Sequence, residues 1–206
     1  KGQGKYWDTT FNVNGKRKTM AGYYAHQVTD MAIDFLDDVD KSKPFALILG
    51  HKAPHGPFIP EPKYENIYNH IPVPYPDSSW NLGDKPKWIV DRLQTWHGIY
   101  GPLYGFRKDS PDDKASAIVD FEKFVRSYTA TVNSVDDSVG RIYDHLEKLG
   151  VLDNTILIYS SDNGFLLGEH GMIDKRTMHE ASISVPLTVR FPKKIKAGTL
   201  IKEQVL

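Results

Sequence analysis

Asp162, Asn163, Lys175, His55 and His170 are the residues whose types and settings suit ionic chemistry. Asp162 and Asn163 stand in the run Ser160-Ser161-Asp162-Asn163-Gly164, directly after the apolar stretch Thr155-Ile156-Leu157-Ile158-Tyr159. A carboxylate and an amide carbonyl on a sharp turn are hard oxygen donors that suit Ca²⁺ or Mg²⁺. Such ions take about six or more oxygens, so further ligands must come from elsewhere, the substrate included. Asp-Asn-Gly after a strand is also an ordinary turn sequence, and the metal reading gains from what surrounds it. Lys175 follows Asp162 by 13 residues, and an ammonium is a point charge suited to a sulfate or phosphate oxygen. The bland alternative is that Lys175 and Arg176 form a solvated basic pair. His55 lies in the stiff run His51-Lys52-Ala53-Pro54-His55-Gly56-Pro57. There it can donate a hydrogen bond or a proton near neutral pH, or stand as a plain surface histidine. His51 and Lys52 are weaker candidates that can simply flank the turn. Gly168-Glu169-His170-Gly171 is a compact turn carrying an acid and an imidazole, and His179-Glu180 can brace it. Together these residues suggest a site for a divalent cation and an anionic ester.

The elements that must position them follow from periodicity. Residues 22–38 carry Val28, Met31, Ala32, Phe35 and Leu36 on one helical face. Residues 45–49 form a continuous apolar run, expected as a buried parallel strand. Residues 54–75 are proline-rich and expected to be irregular. Residues 77–113 hold Trp80, Trp88, Trp96, Tyr100 and Tyr104, aromatics that can stack on sugar rings or pack the loop down. A long helix is expected over residues 115–149, where Phe121, Phe124, Tyr128, Val132, Val135, Val139, Ile142 and Leu146 recur every three or four positions. Gly150 is its stop. Residues 155–159 read as a second buried strand and residues 183–191 as a third, with Pro186 near its start or at an edge. Strand, loop and helix in alternation indicate α/β.

Composition narrows the partners. The chain has 206 residues, enough for one domain or most of one, and 40% of them are apolar. Its 26 basic and 26 acidic residues cancel. Bulk attraction to nucleic acid or an anionic membrane is therefore not implied, and an anionic substrate must be held by local charges. Cysteine is absent, which excludes disulfides and thiolate metal sites within these residues. No apolar run has the length of a membrane-spanning helix.

The stretch from Tyr128 to Gly164, YTATVNSVDDSVGRIYDHLEKLGVLDNTILIYSSDNG, strongly resembles the type I, formylglycine-dependent sulfatases of the alkaline phosphatase superfamily. The continuation FLLGEHGMIDKRTMHEASISVPL resembles the branch that includes iduronate-2-sulfatase and many bacterial polysaccharide sulfatases. The resemblance implies an alkaline-phosphatase-like α/β fold: a mixed, mainly parallel sheet flanked by helices, present here as a partial domain. It implies a Ca²⁺-dependent hydrolase of sulfate esters on a sulfated carbohydrate, with Mg²⁺ the lesser candidate. Asp162 and Asn163 match the late pair of metal ligands. His55 matches the histidine beside the sulfate and leaving oxygen, Lys175 the lysine on the same sulfate, and His170 a position beside the pocket. The family's C/S-x-P-S/A-R nucleophile motif, its early Asp-Asp pair and its Gly-Lys-x-His segment are absent. Residues 1–206 are therefore expected to be the central part of a sulfatase catalytic domain, without the nucleophile region and the C-terminal subdomain. The family setting is periplasmic, secreted or lysosomal. A phosphodiesterase or phosphonate hydrolase of the same superfamily, and a non-catalytic carbohydrate- or partner-binding relative, are the rival readings.

Overall fold

The structure is a computed structural model that describes residues 4–74, 76–79, 84–88 and 114–203. The tryptophans and tyrosines at 80, 96, 100 and 104 lie outside them, and Trp88 is half exposed. The chain opens with a hairpin, β1 (Thr10–Val13) and β2 (Lys16–Thr19), paired antiparallel around Asn14-Gly15. Both turn residues have positive φ, 51° and 84°, which an Asn-Gly pair accepts with little strain.

Helix α1 (Tyr24–Asp38) follows, two residues inside the expected start. It buries Val28, Ala32 and Leu36 as its 3.6-residue period requires. Helix α2 (Lys114–Lys148) matches the long periodic stretch and ends at Gly150, whose φ of 70° suits glycine. The two helices pack through Leu36 and Leu146, with Leu152 from the turn after α2 completing the cluster. Thr29 of α1 and Ser138 of α2 are buried where the helices meet and hydrogen-bonded to each other, and Thr131 and Ser134 of α2 are fully buried as well. Such small side chains let the helix backbones approach closely, since interaxial distance follows side-chain size at the contact. Ion pairs flank the contact: Arg141 with Asp30 at 2.5 Å and His145 with Asp37 at 2.9 Å.

The strands depart from expectation. Residues 45–49 make no ladder, Leu47 is 37% exposed and Ile48 97%. An extended run forms a strand only when another strand supplies its hydrogen bonds, and none does so among the described residues. The second strand is β3 (Leu157–Ser160), with Ile158 66% exposed instead of buried. The third expected strand is present but shorter, β6 (Leu187–Arg190), beginning just after Pro186, while Ile183 closes a helical turn, α3 (Glu180–Ile183). β6 pairs antiparallel with β3, with Ile158 opposite Val189. Between them lies the short antiparallel hairpin of β4 (Leu166–Leu167) and β5 (Ile173–Asp174). No parallel pair occurs among the described residues.

The best-buried apolar contact between the helices is Leu36, 1% exposed. Leu36→Ala in the intact protein is expected to lower unfolding free energy by about 3 kcal/mol through lost contacts and the cavity left behind. Denaturant titration reads this, and a loss below about 1 kcal/mol would show that the site collapses around the smaller side chain.

Candidate active site

The site is built where β3 ends. Its continuation bends through Ser161, whose hydroxyl donates to the Asn163 carbonyl at 3.0 Å. The chain is then caught by α3, because the Gly164 N–H donates to the Ser182 carbonyl at 3.0 Å. A Cβ at Gly164 would overlap the Ala181 carbonyl oxygen and stand 2.6 Å from that of Ser184. Both obstacles are backbone, so only glycine allows this approach.

The β4–β5 hairpin then reverses the chain and returns Lys175 beside Asn163. Its loop is closed by Gly168 N–H donating to Met172 O at 2.9 Å and by Leu167 N–H donating to Glu169 Oε2 at 2.6 Å. Lys175 Nζ donates to Asn163 Oδ1 at 2.8 Å, and Asn163 Nδ2 donates to the Gly164 carbonyl at 2.7 Å. These two bonds orient the amide, because ammonium can only donate and a carbonyl can only accept. Asp162, Asn163 and Lys175 line one cleft of about 400 Å³ with Arg176, Thr177, Met178, Ser182 and Ile183. The Asp162 carboxylate is exposed and takes no hydrogen bond or ion pair from the described residues. An open carboxylate beside an oriented amide oxygen is a donor set for a hard cation. It is a partial one: no group of three or more acidic, His or Cys side chains suited to a metal occurs among the described residues.

His170 sits at the tip of the β4–β5 loop in the left-handed region, φ 58°. Its N–H donates to Ser78 Oγ at 3.1 Å, and its ring lies 4.6 Å from that of His179. Burial, then the neighbouring His179 and Lys85, push the His170 imidazole below its ordinary range, against a smaller opposing pull from Glu169. Among its described contacts, the one toward the cleft runs through His179, whose Nδ1 lies 2.9 Å from the Thr177 hydroxyl.

His55 belongs to a separate loop, and none of its described contacts reaches Asp162, Asn163 or Lys175. Its carbonyl accepts the Tyr6 hydroxyl at 2.7 Å. Its Nδ1 donates to the Gly56 carbonyl at 2.8 Å, which leaves Nε2 as the ring's free nitrogen. The link to the cleft is aromatic: Phe58 packs edge-on to Phe165, centroids 6.2 Å apart, and Phe165 follows Gly164. Phe58 also meets Phe124 and Tyr128 of α2.

The other end of the His55 loop is held by His51. Thr29 Oγ1 donates to the Ala25 carbonyl at 2.6 Å and so has no proton left for Ser138, 2.5 Å away. Ser138 must donate to Thr29 and can only accept from His51 Nε2 at 3.1 Å. His51 is therefore the Nε2–H tautomer, with Nδ1 buried and unpaired. Burial pushes its pKa down to about 4, which keeps the ring neutral. Lys52 beside it is 6% exposed, with its ammonium 4.9 Å over the Tyr6 ring. Both are therefore props of the loop. The role of Tyr6, 49 residues from His55, had no local signal in the sequence. Thr177, also passed over, did have one, standing two residues after Lys175.

The family model described as "Sulfatase" matches residues 2–205. The chain is 35% identical to an N-acetylglucosamine-6-O-sulfatase of Bacteroides thetaiotaomicron, over 96% of this chain and 43% of that protein. It is 32% identical to the human N-acetylglucosamine-6-sulfatase, over 91% of this chain and 32% of that one. A solved structure of a protein in complex with its substrate D-glucosamine-2-N,6-O-disulfate superposes with a TM-score of 0.80 and 33% identity, covering 95% of this chain and 48% of that chain. The chain thus spans less than half the length of these relatives.

Gly164→Ala in the intact protein is expected to displace the turn from α3 and to destabilise by about 2 kcal/mol or more, as overpacking against rigid atoms does. A thermal melt reads this, and an unchanged melting temperature would show that the α3 contact yields.

Proposed function

Because the chain belongs to the sulfatase family and shares its alkaline-phosphatase-like α/β fold, we propose that its protein hydrolyses sulfate esters of a sulfated carbohydrate. The substrate class we infer is a glucosamine 6-O-sulfate, since the relatives named above are N-acetylglucosamine-6-sulfatases and a protein solved with D-glucosamine-2-N,6-O-disulfate. The observation that carries the reading is the cleft where Asp162, Asn163 and Lys175 meet. The setting we infer from the family is the periplasm, the cell exterior or the lysosome. No helix among the described residues is long and apolar enough to cross a membrane.

Asp162 and Asn163 would hold part of the shell of a Ca²⁺ ion, which their hard oxygens fit. The ion would supply positive charge to the sulfate oxygens, and a formylglycine elsewhere in the protein would supply the nucleophile. No C/S-x-P-S/A-R run occurs in residues 1–206. Lys175 binds a sulfate oxygen and offsets charge that grows there as the S–O bond to the sugar breaks. Its bond to Asn163 Oδ1 keeps the ammonium on the metal side of the cleft. His55, with Nδ1–H committed to Gly56, presents Nε2 to the departing sugar oxygen. When protonated there, it delivers that proton to the alcohol that leaves. His170, braced by His179, borders the sugar side of the pocket.

Lys175→Ala in the full-length protein is expected to lower kcat for sulfate release from glucosamine 6-O-sulfate by about 100-fold or more. Undiminished turnover would remove Lys175 from the mechanism, and a wild type inert on every sulfate ester would remove the function. Asp162→Ala is expected to lose bound calcium. Metal analysis of the purified full-length variant tests this, and wild-type calcium content would exclude Asp162 as a ligand.

A further inference from the structure

The β1–β2 hairpin carries a feature that the cleft does not use. Lys16, Arg17 and Lys18 are consecutive in β2, and all of β2 is exposed. None of the three makes an ion pair with a described acidic residue. The opposing strand offers none, since their cross-strand partners are Val13, Asn12 and Phe11. In a chain of zero net charge this is a local concentration of positive charge. By the pleat, Lys16 and Lys18 stand on one face about 7 Å apart, with Arg17 on the other. β2 pairs only with β1 among the described residues. A ligand lying along its open edge meets cations from both faces.

The hairpin is also tied to the proposed substrate loop. Tyr6, four residues before β1, is 2% exposed and donates its hydroxyl to the His55 carbonyl at 2.7 Å. Its ring stacks on Tyr23, which precedes α1, so both ends of the hairpin are rooted beside that loop. Lysines on an edge strand also serve to prevent edge-to-edge pairing, but that purpose is met by either sign of charge and needs no neighbouring anion site.

We propose that Lys16, Arg17 and Lys18 form an accessory binding strip for a sulfated polysaccharide, engaging sulfate groups other than the one being hydrolysed. The proposal rests on the sulfatase reading for its choice of polyanion. The strip favours polymeric over monomeric substrate, through contacts that salt screens.

The test compares full-length wild type with the variant K16A/R17A/K18A, whose changes are all at exposed positions. Two substrates are used: a sulfated glucosamine monosaccharide and a heparin-type sulfated oligosaccharide. Heparin affinity is measured in parallel at rising salt, with single-stranded DNA as a second polyanion. The expected result is a roughly tenfold loss of kcat/KM on the oligosaccharide and of heparin affinity, as three modest surface pairs allow. The salt dependence flattens, and turnover of the monosaccharide is unchanged. Equal losses on both substrates, or no loss on either, would overturn the strip. DNA bound as tightly as heparin and released by the same variant would overturn its assignment to sulfated carbohydrate. If the wild type hydrolyses neither substrate, the glucosamine 6-O-sulfate reading fails on its own. Heparin affinity then still decides the strip: retained binding in the variant overturns it and lost binding supports it.

Discussion

The approach of the Gly164 backbone to α3 is the constraint on which the cleft depends. Asp162 and Asn163 sit on a turn, and a turn at a strand end has no hydrogen-bond ladder to hold it. The Gly164 N–H to Ser182 bond supplies the missing restraint, and the absence of a Cβ brings it within reach. Because that bond fixes the turn against α3, Ser182 and Ile183 become walls of the same cleft. The β4–β5 hairpin adds the opposite wall by returning Lys175 to Asn163. One close backbone contact thus fixes the turn that carries the acid and the amide, and the hairpin brings the ammonium to it from a second segment.

Polar burial does the corresponding work for the His55 loop. His51, Ser138 and Thr29 form a one-directional chain of donors ending on the Ala25 carbonyl. Each hydroxyl has a single proton, so the order of donation is forced and the imidazole tautomer with it. The chain joins the loop to both α1 and α2. Tyr6 secures the far end of the same loop, and its buried phenol is pushed above its ordinary range by desolvation and by the nearby Tyr23. Between those anchors His55 needs only its bond to Gly56 to present Nε2. His51 and Tyr6, both neutral, hold the loop without adding a charge of their own, which is costly away from water, and the ammonium that is drawn in, Lys52, lies over the Tyr6 ring.

Exposed apolar residues in strands and in the unpaired run 45–49 form a second theme. Ile48, Ile158 and Leu187 lie at 97%, 66% and 50% exposure. Such side chains on extended backbone belong at the interior of a sheet with layers on both faces. Their exposure accords with a chain that spans 43% and 48% of the lengths of its relatives.

The helices were legible from the residues because helical periodicity is local: each turn places its apolar side chains on one face whatever lies opposite. The same held for the glycine stop at Gly150 and for the Asp162-Asn163-Gly164 turn with Lys175, whose residues lie close in sequence. Strand assignment departed from the structure at residues 45–49, which make no ladder among the described residues, and at the start of residues 183–191, where β6 begins only at Leu187, because a ladder needs a partner that the strand's own sequence does not name. The props of His55 were invisible for the same reason, since Tyr6 and Ser138 are 49 and 87 residues from the groups they hold. The sequence by itself determined the helices, the turn residues and the kinds of chemistry available. Only the tertiary structure decided which of those residues meet, because hydrogen bonds and close packing act across distances that chain order leaves open.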